Sequence, residues 1–384
     1  MKTKFFIPKE EFAERIERLQ GVIANKDIDA VLVFSTESEP AGVRYFSDYW
    51  PSFETSAVLV PKTGEPILLI GPESMTFASG RSKIERIIKM KDFRESSQPN
   101  YPGTTLMTWK ELLNDLRIKK MGVSGWYMFP YVIFENIVRV IGRDNILEAD
   151  EFVREVTLKK SVAELNCLRE AARISELGFK AVLQNIKPGM TEAQLAGIAA
   201  GAMMGSGAEA TGYPIWCCSG PNSTQAISRP SHRKVQKGEI IHFSVGAKVD
   251  GYSASIGRPV VLGHCPDETR EFMQVGLDAE NMTIDLMRAG TKADVVAQKV
   301  HSFISDRGYG DTILYGPAHG CGQMECEYPF IETSSDFVLD QGMVFMVDIF
   351  LAKQNMGFRW EDGVIITDGK AEELSNFKRK INIL

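Results

Sequence analysis

Asp348 interrupts the apolar run "VFMVDIFL", and an ionised carboxylate there is costly unless it is paired or coordinated. The plainest partner is Arg359 in "FRWED", a segment that also carries Glu361 and Asp362. His319 sits in "YGPAHGCGQMECEYP", with Gly316 before it and Gly320 and Gly322 after it. Glycines on both sides let a backbone or a ligand come close. Glu325 and Glu327 follow, separated by Cys326. An imidazole with carboxylates to orient it is equipment for general acid–base chemistry. A third polar segment, "GPNSTQAISRPSHRK", offers Asn222, Gln225, Arg229, His232 and Arg233. His242, His264 and His301 read as structural or exposed.

The elements that must position these groups are strands. "IIHFSVGAKVDGYSASIGRP" alternates on both sides of Asp250-Gly251, a two-residue hairpin turn. With that turn, Val249 faces Tyr252 and Val245 faces Ile256. One face collects Phe243, Val245, Ala247, Ala254 and Ile256, an ordinary core. The other collects Ser244, Gly246, Ser253, Ser255 and Gly257, which pack nothing well and leave room for something else. Further strands are expected in "YPIWCCSGP", "GMVFMVDIFLA", "MGFRWEDGVIITDG" and "EELS". Helices are expected in "PGMTEAQLAGIAAGAMMGSG", capped by Thr191, and in two segments between residues 267 and 308. This is an α+β pattern, one antiparallel sheet covered by helices. The N-terminal part alternates helix and strand, as in "EEFAERIERLQGVIANK", "DAVLVF" and the hairpin "SAVLVPKTGEPILLIG", and reads as an α/β domain. It has no GxGxxG after a strand and no GxxxxGK[ST], so a nucleotide fold is unsupported. The boundary is placed in the charged helical segment around Lys159-Lys160, giving residues 1–155 and 156–384 as two domains.

Length and composition agree. A chain of 384 residues exceeds one ordinary core, and 44% hydrophobic with 24% charged residues is a globular balance. A net charge of -6 gives no electrostatic case for nucleic acid or an anionic membrane. No stretch reads as a signal peptide or a transmembrane helix. The cysteines form no disulfide-scaffold or CxxC pattern and read as reduced thiols, which places the chain in the cytoplasm.

The order of small-faced hairpin, helices, "HGCG", strand with an acid and "RWED" resembles the pita-bread hydrolase family. That family includes methionine aminopeptidase, aminopeptidase P, prolidase and creatinase. "VRYFSDYW" and "LKKSVAELNCLREAARISELGF" resemble the N-terminal domain and linker helix of its prolidase and creatinase branch. The resemblance implies a creatinase/prolidase-like N-terminal domain, a C-terminal pita-bread domain and a homodimer. The family's peptidases hold two divalent metals through two Asp, one His and two Glu. Those positions fall on Ser244, Ser255, His319, Asp348 and Glu361. A second family His falls on Cys326, with Glu327 kept beside it.

Serine is a weak, neutral ligand for hard cations, so this reads as a degenerate metal site. The resemblance to creatinase, which lacks metal, then implies no cofactor and cleavage of a C–N bond in a small amino or guanidino compound. In that reading His319, His232, Glu361 and Glu327 are catalytic. Asp348, Arg229, Arg359, Glu325, Ser244, Ser255 and Tyr252 bind the small-molecule substrate. Gly257 stands where creatinase carries a glutamate, so creatine itself is not implied. Two alternatives stay open: an Xaa-Pro dipeptidase or aminopeptidase with at most one metal, on His319, Asp348 and Glu361, and a non-catalytic binding protein on the same fold.

Overall fold

The computed structural model describes residues 5–384. They divide into two compact units, Ile7–Leu158 on the one hand and Lys159–Leu384 with residues 5–6 on the other. Among the described residues no helix is long and apolar enough to cross a membrane.

The first unit is built on a mixed sheet of β1 (Ala30–Ser35), β2 (Ser56–Pro61), β3 (Ile67–Ile70), β4 (Ile87–Lys89), β5 (Met121–Ser124) and β6 (Ile146–Glu148). Their order is β4-β3-β2-β1-β5-β6. The central strands are continuous apolar runs because both faces are covered. Alternate residues of β1 serve separate cores: Val31 and Val33 pack with Leu19, Ile23 and Phe46. Leu32 and Phe34 pack with Trp109, Leu112 and Ile137.

The second unit is α+β, as the sequence pattern implies. Its strands are β7 (Ala210–Thr211), β8 (Trp216–Ser219), β9 (Ile240–Val249), β10 (Tyr252–Val261), β11 (Ala318–Gly320), β12 (Glu327–Ile331), β13 (Val344–Lys353), β14 (Met356–Ile365), β15 (Glu372–Glu373) and β16 (Asn382–Ile383). The main path is β12-β11-β13-β14-β10-β9-β7, with β8 on β9, β15 on β14 and β16 on β10. Helices Val162–Asn185, Glu192–Gly205, Asp267–Leu286 and Ala293–Asp306 belong to the same unit. Ser161 and Thr191 begin the first two with reciprocal caps to Glu164 and Gln194.

The β9–β10 hairpin has the anticipated register, Val249 opposite Tyr252 and Val245 opposite Ile256. Asp250 and Gly251 have φ of 45° and 93°, the two left-handed residues a tight hairpin of this kind needs. The core face meets helix Val162–Asn185 closely. Ser175 Oγ donates to Ala254 O at 2.8 Å and accepts from Ala247 N at 2.8 Å. Small residues at 247 and 254 permit that approach, and Phe179 packs on Phe243 beside it, ring centroids 4.8 Å apart.

Candidate functional site

The ladder registers line up one row across five strands. Asp348 on β13 opposes Glu361 on β14, and Glu361 opposes Gly257 on β10. Gly257 opposes Ser244 on β9, and Ser244 opposes Trp216 on β8. Directly opposed residues share a face, so the row is a single surface feature. His319 on β11 opposes Met346, two residues before Asp348, and so joins that face. Arg359 and Ser255 join it by the same period of two. Gly257 lets its neighbours close in on the middle of the row: a Cβ there would lie 2.6 Å from Ser244 Oγ and 2.9 Å from Glu361 Cβ, so only glycine fits.

His319, Asp348 and Glu361 are buried, and one ligand-type atom from each lies within 4.8 Å of the others. His319 Nδ1 lies 3.0 Å from Gly320 O. A carbonyl only accepts, so Nδ1 carries the hydrogen when the ring is neutral, and Nε2 keeps its lone pair. Nε2 is 4.0 Å from Asp348 Oδ2. Tyr315 donates its hydroxyl to Asp348 Oδ2 at 2.9 Å, and Arg359 Nη2 donates to Tyr315 Oη at 2.8 Å and to Ala226 O at 3.1 Å. The Arg359 guanidinium also lies over the Trp216 ring, 4.1 Å from its centroid. On the other side, Tyr213 donates to Glu361 Oε2 at 3.3 Å. Ser255 Oγ donates to Glu325 Oε1 at 3.0 Å, and the Glu325 carboxyl is near enough to Glu361 for each to influence the other's charge.

Burial, then Glu325 beside it, pushes the Glu361 carboxyl well above its usual range against the pull of Arg359. Burial also raises Glu325. For His319, burial opposes the charged ring, but Cys326, Asp348 and the Gly320 carbonyl outweigh it and push its pKa up to about 9. The site therefore holds protons tightly, the behaviour of acids and a base gathered without enough positive charge.

Does this donor set suit a metal ion? Asp348 Oδ1 and Glu361 Oε1 are buried without an aligned donor, and Arg359 Nε, 3.2 Å from Asp348 Oδ1, is not in hydrogen-bonding geometry. One imidazole nitrogen and two under-satisfied carboxylates fit one divalent cation. The serines at 244 and 255 leave the pair of aspartates for a second ion unmatched.

The row brings together seven of the residues singled out in the sequence: His319, Asp348, Arg359, Glu361, Glu325, Ser244 and Ser255. Four others lie elsewhere. His232 and Arg229 are exposed in their loop, and Arg229 Nη1 donates to Ser228 O at 2.8 Å. Glu327 pairs with buried Lys160 at 2.7 Å. Tyr252 is on the core face and donates to Glu164 Oε1 at 2.7 Å. These placements correct His232 and Glu327 as acid–base groups of this pocket, and Arg229 and Tyr252 as substrate contacts. Tyr213, Tyr315 and Trp216 were missed. Tyr315 opens the quoted His319 segment, and Trp216 lies in an expected strand, so position hinted at both. His242, two residues before Ser244, is fully buried on the same face; burial and then Arg359 hold its pKa well below the usual value.

Residues 166–368 match the Metallopeptidase family M24, and residues 15–156 match the Creatinase/Prolidase N-terminal domain. An uncharacterised peptidase of Bacillus subtilis is 25% identical over 96% of this chain and 100% of its own. An Xaa-Pro dipeptidase of Pyrococcus furiosus is 24% identical over 96% of this chain and 99% of its own. Among solved structures, an X-Pro aminopeptidase from Thermotoga maritima superposes with a TM-score of 0.85 at 25% identity, covering 96% of this chain and 99% of the other. The prolidase from Pyrococcus horikoshii has the same fold, with a TM-score of 0.84 at 22% identity and coverage of 96% and 99%. These matches do not support particular nearness to creatinase or a metal-independent reaction. Together with the clustered ligand atoms of His319, Asp348 and Glu361, the metallopeptidase match overturns the expectation of no cofactor.

Proposed function

Because the chain belongs to metallopeptidase family M24, we propose that it hydrolyses small Xaa-Pro peptides using one divalent cation held by His319, Asp348 and Glu361. The observation that carries this reading is the buried cluster itself, with two carboxylate oxygens lacking aligned donors. The names of the Pyrococcus furiosus and Thermotoga maritima relatives support the substrate class. The count of one ion follows from Ser244 and Ser255, which offer no carboxylate.

When bound, such an ion supplies Lewis acidity toward a carbonyl and lowers the pKa of coordinated water. The protein's own groups do the positioning. Tyr315 and Arg359 fix Asp348 from two directions, and Tyr213 restrains Glu361. The Gly320 carbonyl sets the His319 tautomer, so that Nε2 is the donor atom offered to the pocket.

The test is to strip the purified protein with a chelator, restore Mn²⁺, Co²⁺ or Zn²⁺, and assay Xaa-Pro dipeptides and tripeptides. One equivalent of tightly held metal and metal-restored cleavage are expected. Undiminished cleavage after stripping, or no cleavage of any Xaa-Pro peptide after loading, would sink the reading.

A further inference from the structure

The loop 219–231 leaves β8 and returns past the start of helix Glu192–Gly205, and the first residue of that helix holds both of its ends. Glu192 Oε1 accepts from Ser219 N at 2.7 Å and from Ser219 Oγ at 2.8 Å. Glu192 Oε2 accepts from Ser231 N at 2.9 Å and from Ser231 Oγ at 2.6 Å. Asn222 Nδ2 donates to both oxygens at 3.2 Å. The opening amides of the helix add to the hold: Glu192 N donates to Arg233 O and Ala193 N to Ser231 O, each at 3.0 Å. Glu192 is fully buried, and the nearby Arg233 guanidinium is engaged with Glu239. Neutral donors therefore stabilise its charge.

Between its two ends the loop is tied to β14. Ser223 Oγ accepts from Gly357 N at 2.9 Å, and Ala226 O accepts from Arg359 Nη2 at 3.1 Å. The approach is close, since a Cβ at Gly357 would lie 2.5 Å from Ser223 O. Arg359 in turn reaches Tyr315 Oη at 2.8 Å and lies 3.2 Å from Asp348 Oδ1. Beyond the short helical turn Gly220–Thr224 the loop has no helix or strand, and Gln225, Ile227 and Arg229 are exposed. Hydrogen bonds more than packing must fix where Ala226 stands.

We infer that Glu192 is a positioning residue for the candidate site: by fastening both ends of loop 219–231 it fixes the Ala226 carbonyl, which orients Arg359 toward Tyr315 and Asp348. The inference rests on the reading of that site as the place of peptide hydrolysis. A carboxylate is needed because backbone N–H groups press on it from both ends of the loop. Glutamine has the same shape, but its amide nitrogen would have to face the N–H of either Ser219 or Ser231, and that end of the loop is released.

The experiment compares wild type, Glu192→Gln, Arg359→Lys, their double variant and Asp150→Asn. Asp150 is a control of the same kind: it opens helix Asp150–Thr157 and accepts from Ser124 Oγ at 2.9 Å and Gly125 N at 2.6 Å, in the unit that holds none of the candidate site's residues. Hydrogen exchange of the metal-free full chain is read first. Glu192→Gln should speed exchange in residues 219–231 and also in the peptide carrying Gly357. Kinetics on an Xaa-Pro dipeptide with Mn²⁺ are read second. Glu192→Gln should lower kcat about tenfold with KM within about threefold, the mark of a misplaced group rather than a lost substrate contact. In the Arg359→Lys background the same change should cost less than about twofold, because a lysine cannot span the partners of the guanidinium fork. Asp150→Asn should leave kcat unchanged. If Glu192→Gln does not fold, Ser231→Ala loosens the same clasp and should lower kcat about threefold. Unchanged exchange at Gly357, wild-type kcat in Glu192→Gln or Ser231→Ala, losses that multiply in the double variant, or an equal loss in Asp150→Asn overturns the inference and leaves the proposed function intact. A wild type that cleaves no Xaa-Pro peptide overturns the proposed function, and this inference with it.

Discussion

Glu361 and Asp362 are neighbours on β14 that face opposite sides of the same sheet, into opposite electrostatic surroundings. Asp362 receives Arg258 Nη2 on both oxygens at 2.8 Å, with Arg379 at 3.3 Å. Arg258 Nη1 donates to Gly257 O and Glu361 O, and Nη2 is also shared with Phe377 O, so the pair is buried and saturated. Buried Glu280 completes that side; burial and then Asp362 raise its pKa well above the usual range. Glu361, one residue away, has no arginine of its own. Its neighbours are a tyrosine hydroxyl at 3.3 Å and another acid. Both sides desolvate carboxylates equally well. They differ in the supply of cations: one side has Arg258 and Arg379 against Asp362, and the other has Arg359 alone beside Asp348 and Glu361.

That contrast can be broken from either side. The largest effect belongs to the closed side. Arg258→Met leaves Asp362 buried with its principal partner gone and should lose about 3–5 kcal/mol in urea unfolding; a loss under about 1 kcal/mol would mean the pair is dispensable. Next is metal on the open side. Mn²⁺ at about 100 times its dissociation constant should stabilise the protein by about 2.7 kcal/mol, read as a melting shift against chelator. No shift would leave Glu361 and Asp348 without the missing charge.

Glu280 comes third. Its folded pKa is raised, so its contribution to stability is complete below the unfolded value of 4.5 and falls as pH climbs toward the folded value. The expected slope is about 1.4 kcal/mol per pH unit. Glu280→Gln should flatten the wild-type decline in melting temperature between pH 5 and pH 8; identical curves would refute the assignment. Smallest is Tyr213→Phe, which removes one long hydrogen bond to Glu361 and should cost no more than about 1 kcal/mol in thermal unfolding. A larger loss would mean that Tyr213 holds more of the site than that bond.

Much of the second unit is legible in its pattern because a strand period of two is strict. The Asp250-Gly251 turn, the register of β9 and β10 and the small face carrying Ser244 and Ser255 all follow from alternation. The same rule assigns Tyr252 to the core face with Ala254 and Ile256. Taking it as a pocket residue set a family likeness above the parity of the strand. Asp348 and Arg359 could be paired from cost alone, since a lone acid in an apolar run needs a partner. Loops obey no such period, so nothing local revealed that His232 and Arg229 turn outward. Tyr213 and Trp216 reach the site through pairings distant in sequence, of the kind residue type alone does not disclose. The cofactor was misjudged for a related reason. Counting serines at two positions measured what the hairpin had lost, and gave too little weight to His319, Asp348 and Glu361, which still cluster.

Gly257 has a consequence for anyone who would rebuild this pocket. Because a methyl group there would meet both Ser244 and Glu361, positions 244, 257 and 361 cannot be varied independently. A side chain at 257 calls for a smaller residue at 244 or a shift of Glu361. It therefore displaces Ser244 or Glu361 before it reaches anything else in the row.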